Sequence, residues 1–144
     1  MKRFASYFLS VLLLAAIVSA CNDRLEITQD YAFDLLTMPY PKKIVEGETA
    51  EIRCTITKEG DYKQTQFFIR YFQTDGKGSL RLDDGRVLTP NDLFLLSNDA
   101  FRLYYTSECT DQQNFDVYIE NNFGQVVKKS FSFQNESVKE EKNE

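Results

Sequence analysis

Ala50-Glu51-Ile52-Arg53-Cys54-Thr55-Ile56-Thr57 decides the fold. Ala50, Ile52, Cys54 and Ile56 alternate with Glu51, Arg53, Thr55 and Thr57. A period of two sets one face against a core and leaves the other in water. The lead-in Val45-Glu46-Gly47-Glu48-Thr49, running into an alternation that contains a Cys, is also how many immunoglobulin-like domains enter their second strand.

The same period recurs on both sides. Upstream, Tyr31 to Thr37 predicts a first strand with Tyr31, Phe33 and Leu35 on one face. Pro39 and Pro41 then suit an edge strand that breaks and changes partner. Downstream, Gln66 to Gln73 predicts a central strand, with Phe67, Ile69 and Tyr71 facing one way and Phe68, Arg70 and Phe72 the other. Asp75-Gly76-Lys77-Gly78 is a turn. Asp84-Gly85 signals a hairpin between Ser79–Asp83 and Arg86–Leu88. Thr89-Pro90-Asn91-Asp92 reads as another turn, with a single helical turn as one form of it. Ala100 to Thr106 points Phe101, Leu103 and Tyr105 inward. Asn114 to Glu120 sets Phe115, Val117 and Ile119 against Asp116, Tyr118 and Glu120. In Gln125 to Phe133, Lys129 falls in phase with Val127, Phe131 and Phe133, which predicts a bulge or an edge position. About seven short strands with turn signals between them predict an all-β, immunoglobulin-like antiparallel β-sandwich, with a partly open barrel as the alternative.

Composition supports this class. The chain has 144 residues with twelve Phe, eight Tyr and no Trp, an aromatic content that favours strands. Its 17 Lys and Arg stand against 22 Asp and Glu, a net charge of −5. Lys2 and Arg3 belong to the leader, so the remainder is at 15 against 22, or −7. An acidic domain without a basic run is a poor partner for nucleic acid or for anionic lipid. No His is present, which removes the commonest general base and metal ligand.

The first 20 residues have the make-up of a secretory signal peptide: a basic start, an apolar run from Phe8 to Val18 too short to span a bilayer, then small residues. Val18-Ser19-Ala20-Cys21 resembles the bacterial lipobox, in which the enzyme cuts before a Cys that carries diacylglycerol. Ordinary signal peptidase cleavage, leaving Cys21 as a free thiol, is the competing reading. Lipidation at Cys21 is expected, with residues 21–30 as a tether, residues 31–134 as the sandwich and residues 135–144 as a charged, disordered tail.

Few constellations suggest chemistry. Export permits a disulfide between Cys54 and Cys109, at a separation like that of the two strand-borne cysteines of immunoglobulin domains. Cys109 nevertheless sits in a loop and no Trp accompanies the pair. Cys54 also reads as a small buried core residue. Asp75, Asp83 and Asp84 match no calcium loop and are first of all turn residues. No Walker loop, Gly-x-Ser-x-Gly elbow or Cys-x-x-Cys occurs. An enzyme is not expected, nor a cofactor, a metal or an evident small-molecule substrate. The positive signal is aromatic. Phe68, Arg70, Phe72 and Tyr118 form a candidate partner patch, because an immunoglobulin order puts their strands in one sheet. The plainer reading is cross-strand stabilisation with Arg70 stacked among the rings.

Several strings resemble the TraQ proteins of Bacteroidetes-type conjugative transposons. They are Arg70-Tyr71-Phe72-Gln73 with Asp75-Gly76-Lys77-Gly78, Phe101-Arg102-Leu103-Tyr104-Tyr105-Thr106-Ser107, Asp111-Gln112-Gln113, Asp116-Val117-Tyr118, and Phe123-Gly124-Gln125-Val126-Val127 with Phe131-Ser132-Phe133. The similarity runs from the leader to about Asn135. It implies a small envelope protein of a transfer operon, with an immunoglobulin-like domain and no catalytic residues. The expectation is a lipid-anchored accessory or assembly component of the DNA-transfer apparatus. It would act through contacts with other conjugation proteins, at the periplasmic or cell-surface side of a membrane, without touching nucleic acid directly. An envelope-exposed module binding a glycan or peptide is the alternative.

Overall fold

The structure is a computed structural model and describes residues 30–136. The leader, Cys21, most of the tether and the last eight residues of the tail lie outside the described residues.

Ten strands build two five-stranded sheets. In chain order they are β1 (Phe33–Thr37), β2 (Lys43–Ile44), β3 (Thr49–Lys58), β4 (Phe67–Asp75), β5 (Gly78–Leu82), β6 (Val87–Leu88), β7 (Phe94–Leu96), β8 (Ala100–Ser107), β9 (Gln113–Asn121) and β10 (Val126–Asn135). The first sheet has the order β1-β3-β8-β5-β6, the second β2-β10-β9-β4-β7. Every pairing is antiparallel except that of β2 with β10. Strands one, two, five and four of an immunoglobulin domain correspond to β1, β3, β8 and β5, and the facing sheet to β10, β9 and β4. Two separate sheets replace the barrel alternative.

The prolines act as expected. Pro39 and Pro41 stand between β1, paired to β3 in the first sheet, and β2, paired to β10 in the second. Proline cannot donate to a ladder, so the chain leaves one sheet there and joins the other.

The alternations point inward as read from sequence. Ile52, Ile69, Leu103, Tyr105, Phe115, Val117, Ile119 and Phe133 are wholly buried between the sheets. Tyr105 stacks on Phe115 at 4.5 Å and on Phe133 at 5.2 Å between ring centroids. Phe115 stacks in turn on Phe131 at 5.2 Å. These rings replace the Trp and disulfide that fill the same layer in antibody domains.

The structure settles one local reading and corrects four. β10 keeps an unbroken register with β9 from Val126 to Phe133 and has β2 beside it only at Gln134 and Asn135, so of the two expected forms the edge position, not the bulge, explains Lys129. The register shift falls instead in β4, between Gln73 and Asp75. Thr89–Asp92 is not a helical turn. Asp92 N–H donates to Thr89 C=O (3.1 Å) and Asn91 has φ 69°, the pattern of a type II turn with Pro90 and Asn91 at its centre. β7, the edge beside β4, lies in a stretch that shows no alternation. Tyr31 is exposed and precedes β1 rather than sharing its inner face. β10 also runs to Asn135, one residue into the stretch assigned to the tail.

Candidate functional site

The patch residues do meet. β4 and β9 are neighbours in the second sheet, with Arg70 opposite Tyr118, Phe68 opposite Glu120 and Phe72 opposite Asp116. All six side chains lie on the outer face, because their neighbours in sequence fill the core. Each of the six is half-buried rather than fully exposed.

The face carries two separate ion pairs set among rings. Arg70 forms an ion pair with Glu120 through Nη2 and Oε1. The guanidinium also lies 5.7 Å from the Tyr118 centroid and 5.9 Å from that of Phe72. Phe72 meets Tyr118 edge-on at 5.7 Å. From β10, Lys128 Nζ pairs with Asp116 Oδ2 at 2.9 Å and Ser130 Oγ bonds Asp116 Oδ1 at 2.6 Å. The Ser130 bond, helped by Lys128, holds the Asp116 carboxyl below its usual range. Each cation therefore has an anion on the same face. Leu95 on β7, opposite Phe68, and Val126 on β10, opposite Glu120, extend it with exposed apolar side chains. Cross-strand aromatic pairing of this kind stabilises a sheet whether or not anything docks on it.

Cys54 and Cys109 are both free. The β3–β8 register puts Cys54 opposite Phe101, whereas Cys109 follows the far end of β8 at Ser107. Six residues of extended strand, from Phe101 to Ser107, separate Cys54 from the end of β8 by roughly 20 Å, and a disulfide needs Cα atoms within about 7 Å. Cys54 is the small core residue of the plainer reading. Burial pushes its thiol up to about 12. Cys109 Sγ accepts from Lys77 N–H at 3.1 Å.

A second polar cluster escaped the sequence reading. Tyr105 donates its hydroxyl to Gln113 Oε1 (2.8 Å) and accepts from Gln73 Nε2 (3.0 Å). Gln113 Nε2 donates to Ser107 Oγ at 2.8 Å. Tyr105, Ser107 and Gln113 are essentially inaccessible to solvent, so the network ties the end of β8 to the start of β9 without offering a site. Burial pushes the Tyr105 hydroxyl up to about 12. Gly78 is required here because a Cβ would run into the Tyr105 hydroxyl. Gly76 is required too: its φ is +70° and a Cβ would lie 2.7 Å from Gln112 C=O. The turn signal named these glycines; the approach of Gly78 to a tyrosine far along the chain was invisible in it.

The acidic turns have partners of their own. Asp75 Oδ2 accepts from Asn114 Nδ2 at 2.7 Å, and Asp84 Oδ2 from Arg86 Nε at 2.8 Å. Among the described residues no group of three or more acids or cysteines gathers at one point.

Three solved structures resemble the chain over nearly the whole of their own length. A conjugative transposon lipoprotein from Bacteroides eggerthii is 47% identical, with TM-score 0.69, covering 74% of this chain and 100% of its own. A lipoprotein from Bacteroides thetaiotaomicron is 54% identical, with TM-score 0.68, covering 85% and 95%. A conjugate transposon protein from Bacteroides vulgatus, solved in solution as its residues 27–141, is 41% identical, with TM-score 0.66, covering 85% and 98%. Among curated proteins none matches significantly. The TraQ conjugal transfer protein family matches residues 5–136. The resemblance carried by scattered strings is thus a match along almost all of the sequence, and the chain belongs to the TraQ conjugal transfer protein family.

Proposed function

We propose that this protein is a lipid-anchored accessory or assembly component of the conjugative DNA-transfer apparatus, and that it works by protein contact through the outer face of β4 and β9. The observation that carries this is the composition of that face. Phe68, Phe72 and Tyr118 surround Arg70, the side-chain types enriched at protein interfaces. Arg70 is neutralised within the face by Glu120, and Lys128 beside it by Asp116, so a partner would not have to supply counter-charges. Cys21 would hold the domain at a membrane, and the short stretch up to Asp30 would limit how far that face reaches from it. Membership of a conjugal transfer family and likeness to conjugative transposon lipoproteins support the setting. An enzymatic role has no support of this kind.

The test is a mating assay in cells whose only copy carries Phe68→Ser and Phe72→Ser, with protein level checked. Transfer should fall at normal protein level. Unimpaired transfer would remove the face from the proposal. Cys21→Ser, assayed alongside, should release a folded domain from the membrane fraction and lower transfer independently of the face.

A further inference from the structure

Each sheet has two edges, and an unpaired edge is a template for another strand. The edges differ in what protects them. In the first sheet β6 has two residues, and β1 has five and ends near Pro39 and Pro41. In the second sheet β7 has three residues. Shortness and proline close such edges. β7 covers β4 only from Phe67 to Ile69, so β4 is unpaired on that side beyond it, but the uncovered stretch of β10, at the remaining edge, is longer. β9 covers one side of β10 from Val126 to Phe133, while β2 covers the other only at Gln134 and Asn135. Gln134 N–H donates to Lys42 C=O across that second side. Counting back by twos, Ser132, Ser130, Lys128 and Val126 point their backbone groups the same way. No backbone hydrogen bond meets them there among the described residues.

The inner-face positions of this strand are Val127, Lys129, Phe131 and Phe133. Three are apolar and belong to the core or pack on it. Lys129 alone is charged, half-buried, and without an ion pair among the described residues. Its phase, shared with Val127, Phe131 and Phe133 and half-buried like Val127, directs it toward the space between the sheets. As matters stand, the long side chain can reach water past the open edge. A strand added to that edge would block the escape and leave an unpaired ammonium in apolar surroundings, at a high cost. Two copies pairing β10 to β10 would bring two such ammoniums together.

We infer that Lys129 guards the open edge of β10 against pairing with β10 of a second copy of this chain. The guard keeps the domain single although its longest edge is unpaired, and it leaves the outer face of β9 and β10 uncovered. It stands whether or not that face is the contact surface.

The test compares Lys129→Val with the parent and with Lys129→Arg, using residues 22–144. The solution structure of the relative's residues 27–141 shows that a segment of this extent holds the fold by itself. Sedimentation should find the parent and Lys129→Arg monomeric. Lys129→Val should self-associate at least about tenfold more tightly, the response to ~1.4 kcal/mol. In the associated form, amide exchange at Val126, Lys128 and Ser130 should slow by a similar factor. Should Lys129→Val fail to fold, Lys129→Thr carries the same comparison. A folded, monomeric neutral variant would overturn the inference, and so would a parent already paired through β10.

Discussion

On the outer face of the first sheet Arg53 stands opposite Arg102; on that of the second Arg70 stands opposite Tyr118. The two positions share a geometry, the outward phase of central strands, and differ in company. Arg53 and Arg102 sit beside Thr55 and Ala100 on one side and Glu51 and Tyr104 on the other, with Glu51 accepting from Arg53 at 2.9 Å and pairing with Arg102 at 3.5 Å. Their side chains are 64% and 50% exposed, whereas that of Arg70 is 29% exposed and its Nε is buried without a partner. Apart from Tyr104, over which Arg81 lies at 4.7 Å, the first face around this pair is wet, and ion pairs there are worth little. The second is half desolvated before anything touches it. Alternation decides which side chains leave the core; neighbours across strands decide whether they stay in water.

Both faces rest on one stack of rings, so the largest effect should come from removing its centre. Phe115→Ala should cost about 3–5 kcal/mol and erase the difference between the faces by loosening both sheets, as read by denaturant melts. A destabilisation below 1 kcal/mol would mean the stack is not the common support. Tyr105→Phe keeps the ring and removes the hydroxyl that Gln113 Oε1 and Gln73 Nε2 share. It should cost about 1–3 kcal/mol, since those groups remain buried.

Alkaline pH probes the same interior. Cys54 and Tyr105 both have thiol or hydroxyl pKa values raised from 9.0 and 10.0 to about 12. The folded state holds these protons more tightly than the unfolded chain. Stability should therefore be intact below about pH 9 and fall as pH rises towards about 12. Flat stability across that window would contradict the burial of both groups.

Smaller effects separate the faces themselves. Phe72→Ala should cost about 0.2–1 kcal/mol through lost pairing with Tyr118 and Arg70. Arg53→Ala on the first face should leave the melting point nearly unchanged. Equal losses at both sites would abolish the distinction. The smallest expected effect is none: a reducing agent should not shift the melt, because Cys54 and Cys109 lie far apart, and a drop on reduction would restore the disulfide.

Much of this was legible in the sequence because period two is a local signal. The inward sets of β3, β4, β8 and β9 follow from alternation alone, and the sheet change follows from Pro39 and Pro41. The meeting of Arg70 with Tyr118 needed only the assumption of an immunoglobulin strand order. What stayed hidden depends on contacts distant in the chain. Gly78 is a turn glycine in sequence and a space-giver for Tyr105 in the fold. Gln113 reads as a loop residue and is fully buried, since its amide satisfies Tyr105 and Ser107. The three-residue β7 is too short for any period to show. Lys129 breaks the phase of β10 in the sequence itself, but only the register distinguishes an edge position from a bulge.

Placing a photocrosslinking residue at position 72 or at position 104, one on each outer face, tests the central claim most directly. Both positions are half-buried on their strands, so the comparison is fair. Irradiation of mating cells should trap a transfer protein from position 72 and little from position 104. Capture from position 104 alone, or equally from both, would contradict the assignment of contact to the β4–β9 face.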